Sequence, residues 1–119
     1  MMTVLNDFLK IRINLKQLKK EFGENLYNVE IKEPMIVHSK DLIFLINQYI
    51  SNKITLQEVA DWVNVVWFTE LFEYNPAEED SISSVMTILE TIDEDDEWFS
   101  NGDFKKMIDC LLCNTEYEK

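Results

Sequence analysis

Cys110 and Cys113 stand at C-x-x-C spacing, an arrangement that redox proteins use to expose a reactive thiol at a helix N-terminus. Here both fall late in an expected C-terminal helix, so packing or surface thiols is the simpler reading. Two cysteines cannot complete a four-ligand zinc site, and the sole histidine, His38, is far away in sequence. Asp93, Asp95 and Glu97 alternate as calcium ligands do. A loop beginning at Asp93 would need Gly at its sixth place and Glu at its twelfth, where Trp98 and Phe104 stand. No glycine-rich phosphate loop, G-x-S-x-G or H-E-x-x-H occurs. With no nucleophile, base and orienting group to assemble, the expectation is a non-enzyme without cofactor or metal.

Charge carries more information. From Ile54 to Phe104 there is no lysine or arginine but fourteen carboxylates: Glu58, Asp61, Glu70, Glu73, Glu78, Glu79, Asp80, Glu90, Asp93, Glu94, Asp95, Asp96, Glu97 and Asp103. The chain is formally −12, so this window holds −14 and the remainder sums to +2. Such a field attracts cations and repels nucleic acid and anionic membrane. Solubility alone does not require the signs to be segregated, which favours a basic partner. Aromatic residues lie beside the acids: Trp98 and Phe99 follow Asp93–Glu97, and Tyr74 follows Glu70 and Glu73. Carboxylates can steer and bond a basic surface while aromatics supply contact energy. Trp98 has the competing role of closing the core.

These groups need elements to hold them. At 119 residues and 46% hydrophobic, the chain is expected to form a single domain, residues 1–119. Its aromatic content argues against disorder. No secretory signal or apolar run of membrane-spanning length is visible, so a cytoplasmic protein is expected. Two Gly and two Pro suit long helices. The stripe Val4, Phe8, Ile11, Leu15, Leu18 and Phe22 predicts one basic amphipathic helix stopped by Gly23, with a homodimer seam as an alternative to core packing. Residues 27–37 alternate and contain Pro34, which predicts an extended connector or one short strand.

Ser39 is expected to cap a second helix to about Asn52, with Leu42, Leu45, Ile46 and Tyr49 inward. Thr55-Leu56-Gln57-Glu58 is a capping box for a third, ending near Asn75-Pro76. Its core face would be Leu56, Val59, Ala60, Val63, Trp67 and Leu71. Val65, Phe68 and Phe72 fall opposite, near Glu58 and Asp61, as either a second buried side or an aromatic-acidic binding face. Pro76, with Glu78, Glu79 and Asp80, starts a fourth helix, and Asp103 is expected to cap a fifth. The fold class is therefore all-α, a bundle of four or five helices with a short extended segment.

The stretch Leu42-Ile43-Phe44-Leu45-Ile46-Asn47-Gln48-Tyr49-Ile50-Ser51-Asn52-Lys53-Ile54-Thr55, followed by Glu58-Val59 and Trp62, resembles the small acidic immunity proteins that bacteria pair with nuclease toxins. The likeness is to the helical colicin D kind and to those guarding contact-dependent toxins, and it covers about a third of the chain. It implies acids that occupy a toxin's basic active cleft, with Asp61, Glu70, Glu73 and Asp93–Glu97 as candidates. With the acids and aromatics read from the chain itself, the expected partner-binding set is Asp61, Phe68, Glu70, Phe72, Glu73, Glu78, Glu79, Asp80, Asp93, Glu94, Asp95, Asp96, Glu97 and Trp98. A nucleic-acid mimic and a helical adaptor remain the alternatives.

Overall fold

A computed structural model of the chain describes residues 2–23, 33–92 and 100–118. Its described elements run α1 (Met2–Leu9), α2 (Leu15–Phe22), β1 (Met35–Val37), α3 (Ser39–Ile50), α4 (Leu56–Phe68), β2 (Phe72–Tyr74), a 3-10 turn (Pro76–Glu78), α5 (Glu79–Leu89) and α6 (Asn101–Cys113). The architecture is mostly helical, with a two-stranded parallel sheet that makes it not purely α.

The expected helix over Val4–Phe22 is two helices. Ile11 takes φ +61°, and the amides of Ile11 and Arg12 donate to the carbonyls of Phe8 and Asp7. These two bonds form a Schellman stop, and only then does Asn14 cap α2, its side chain exchanging bonds with Gln17. A β-branched residue in the left-handed region is uncommon, so the stop carries none of the usual Gly or Asn signature. Leu5, Phe8, Leu9 and Leu18 are buried in the chain's own core. The continuous helix that a Val4–Phe22 seam requires is not formed.

α3 is capped at His38 rather than Ser39, because Asp41 reaches back to accept from the His38 amide at 2.9 Å. Asp41 is only 2% exposed and also pairs with Lys10 Nζ at 3.0 Å, which ties the end of α1 to the start of α3. A second Schellman stop with Asn52 at φ +62° ends α3, and the Thr55–Glu58 box opens α4 as expected. Likewise α6 is capped by Ser100, with Asp103 completing the box from three residues inside rather than acting as the cap itself.

The expected third helix stops seven residues early. At Thr69 the hydroxyl donates to the Val65 carbonyl at 2.6 Å, and the chain then turns extended. Phe72–Tyr74 pairs with Met35–Val37 in parallel, which requires the intervening α3 and α4 as a crossover. The short strand anticipated within residues 27–37 thus lies at that segment's end. Its earlier part, around Tyr27 to Ile31, is outside the described residues.

Around the sheet the core unites Val37, Leu42, Leu45, Ile46, Val63, Val65, Leu71, Ile82, Met86, Leu89, Met107 and Leu111. α6 packs against α3, where Phe104 meets Tyr49 edge-on at 5.3 Å between ring centroids, and it also packs against α5. No described helix is long and apolar enough to cross a membrane.

Candidate partner-binding groove

The early end of α4 creates the most distinctive surface feature. Between the last turn of α4 and the first turn of α5 lies an open groove of about 540 Å³, lined by Val66, Trp67, Phe72, Glu73, Tyr74, Pro76 and Glu79. Each lining residue is placed by an identifiable local cause. The Thr69 hydroxyl ends α4 just after Trp67 and Phe68, and those two rings tilt against each other with centroids 6.1 Å apart. Extension of β2 then alternates its side chains, so buried Phe72 and half-buried Tyr74 share one side and exposed Glu73 takes the other. Phe72 is anchored against Phe8, its ring centroid 6.4 Å away. Pro76 starts a helical turn that delivers Glu79 to the mouth of the groove.

The charged side chains that line this groove, Glu73 and Glu79, are both acidic. Burial above all, with the neighbouring Glu79 and Glu90 carboxylates acting in the same direction, raises the Tyr74 phenol to about 12. A phenol in that state stays protonated and can donate to an acceptor. Among the described residues, the side chains of Glu70, Glu73, Glu79 and Asp80 are exposed and form no hydrogen bond or ion pair. Phe68, at 51% exposure, adds an apolar face beside them.

Other candidate acids are engaged in the fold. Glu78 accepts from Asn75 Nδ2 at 2.8 Å and from the Ser39 amide at 3.3 Å, with His38 Nδ1 at 3.5 Å. The Asn75 bond above all holds its carboxyl below the usual carboxylate range, and the Ser39 amide and His38 help against the opposing effect of burial. Glu78 therefore clamps the turn after β2 to the start of α3. Asp61 accepts from Gln57 Nε2 at 2.9 Å, and Glu58 accepts from the Thr55 amide. Both border a notch of only about 30 Å³ among Phe8, Ile11, Leu15, Leu45 and Trp62, room for roughly one water.

The expected set therefore divides. Glu73, Glu79 and Phe72 meet in the groove; Glu70 and Phe68 belong to the segment leading into it, and Asp80 follows Glu79 on α5. Asp61 lies at the notch, and Glu78 is used by the turn. Asp93, Glu94, Asp95, Asp96, Glu97 and Trp98 lie outside the described residues. Trp67, read from the sequence as core, is half-buried and packs against the core while also lining the groove, and the contributions of Pro76 and Glu90 were not anticipated. The signal available for them was the Phe72-Glu73-Tyr74 alternation closed by Asn75-Pro76, which marks a strand and turn.

Cys110 and Cys113 occupy the last turn of α6, with Cys110 half-buried and Cys113 exposed, not a helix N-terminus. Among the described residues no three His, Cys, Asp or Glu side chains converge as metal ligands. The chain matches no protein-family model, no curated protein and no solved structure.

Proposed function

We propose that this chain is a non-enzymatic inhibitor that binds a basic bacterial toxin domain, a nuclease, and blocks its substrate site with an acidic surface. The observation that carries the reading is the groove, in which unpaired Glu73 and Glu79 stand beside Trp67 and Tyr74. A nuclease must present lysines and arginines to phosphates, so its active cleft is complementary to such a surface. Carboxylates with no ion-pair partner among the described residues are available to accept from those cations. Aromatic rings beside them provide desolvated contact and cation–π attraction. An inhibitor of an intracellular nuclease would act in the cytoplasm.

The neighbouring gene is the direct place to look: the reading expects a large secreted protein with a basic C-terminal domain. The purified domain should lose nuclease activity on titration with this chain, reaching zero near one equivalent. Undiminished nuclease activity contradicts the reading. Competition with DNA for several unrelated DNA-binding proteins would instead assign the chain as a nucleic-acid mimic.

A further inference from the structure

The ladder of the two-stranded sheet fixes which way each backbone group of β2 points. Met35 donates its amide to the Leu71 carbonyl at 2.9 Å, and Asn75 donates to the Val37 carbonyl at 2.9 Å. In a parallel pair the N–H and C=O of one residue point the same way and successive residues alternate. Leu71, Glu73 and Asn75 therefore face β1, while Phe72 and Tyr74 direct their main-chain groups to the opposite edge. Among the described residues no hydrogen bond reaches the backbone N–H or C=O of Phe72 or Tyr74 on that edge. The groove lies there: α4, β2, the 3-10 turn and α5 line it, and no residue of β1 does. The other strand, β1, contacts α1, and the groove does not reach it.

We propose that the outer edge of β2 is a strand-docking site, where an extended basic segment of the partner pairs with the backbone of Phe72 and Tyr74 and sets a lysine or arginine against Glu73, with Glu79 adding to the negative field. This rests on the proposed function and names how the partner engages the groove. An added strand gains main-chain hydrogen bonds and reads its sequence through alternate side chains. The residue opposite Glu73 shares its face and must be cationic. Residues on either side of it fall on the face of Phe72 and Tyr74, beside Val66 and Trp67, and favour apolar groups. The same charges disfavour a second copy of this chain, because antiparallel self-pairing across β2 would bring Glu73 against Glu73.

The test uses the intact chain and the peptide acetyl-Lys-Val-Lys-Val-Lys-Val-Lys-amide, with two analogues N-methylated at all valine amides or at the internal lysine amides. Both analogues keep every charge, and each deletes one edge of hydrogen bonds. The parent peptide should bind and slow hydrogen exchange at Phe72 and Tyr74 at least tenfold, leaving Glu73, whose amide faces β1, little changed. One analogue should bind about tenfold more weakly and the other like the parent. Equal binding by all three peptides, absence of protection at Phe72 and Tyr74, or no binding by the parent overturns strand docking. If binding without protection is abolished by Glu73→Lys/Glu79→Lys, the acidic-surface reading survives while strand docking fails. Protection that appears without peptide and grows with protein concentration would assign the edge to a second copy and also overturn the proposal.

Discussion

Asp41 Oδ1 lies 3.0 Å from Lys10 Nζ, and the second carboxylate oxygen accepts the His38 amide at 2.9 Å. One buried acid thus closes the start of α3 and fastens α1 to it. Asp41 lies outside the base-free window, in the part of the chain that contains the lysines. The contrast with Glu73 and Glu79, which have no such partners among the described residues, separates acids that build the fold from acids available to a ligand.

Replacing Asp41 should therefore be costly. Asp41→Ala is expected to destabilise the chain by about 2–4 kcal/mol, because it leaves a capped amide and an ammonium without their acceptor. Asp41→Asn should cost less, since its amide oxygen still accepts from His38. Urea unfolding midpoints check the order.

Glu78 gives the acid limb of stability. Its folded carboxyl binds a proton less readily than the unfolded one, whose ordinary value is 4.5. The unfolded state therefore takes up more protons, so this stabilisation is present above 4.5 and is lost as pH falls through the lower folded value. Glu78→Gln should be less stable than the wild-type chain near neutrality and should converge with it in acid. Denaturation curves that stay parallel down through that range would contradict the clamp.

Tyr74 gives the alkaline limb. Its folded value near 12 exceeds the ordinary 10.0, so its contribution is complete below 10.0 and is lost as pH rises towards 12. Phenolate absorbance should show a late step that Tyr74→Phe removes. Glu79→Gln should lower it only partly, because burial is the larger cause.

After the Ile11 stop, the start of α2 rests on the Asn14 cap. Asn14→Ala should cost about 1 kcal/mol through loss of the cap, measurable as a lower thermal midpoint with little change elsewhere.

Much of this fold is legible in the chain because local signals agree with tertiary demand. Thr55 and Glu58 announce α4, and Leu42, Leu45 and Ile46 announce the buried side of α3. Two features hid for physical reasons. Ile11 stops a helix from a conformation that β-branched residues rarely take, so the apolar stripe read straight through it. Thr69 to Tyr74 continues the apolar spacing of α4, and only pairing with distant Met35–Val37 makes it a strand. The groove follows from that strand, so the second role of Trp67, lining the groove as well as packing on the core, could not be read without it. The charge segregation, by contrast, needed no structure, and the acids it marked at Glu73 and Glu79 do meet aromatic side chains.

The central claim is that the groove captures a basic partner through Glu73 and Glu79. It is tested most directly by the affinity of Glu73→Lys/Glu79→Lys for the basic toxin domain that the proposed function expects beside this chain, measured across a range of salt. Reversing two interfacial charges should weaken binding by about 100-fold or more at low salt and flatten the salt dependence. A matching reversal of Asp93–Glu97 reports separately on that acidic run. Wild-type affinity and wild-type salt dependence in the Glu73→Lys/Glu79→Lys chain would contradict the account.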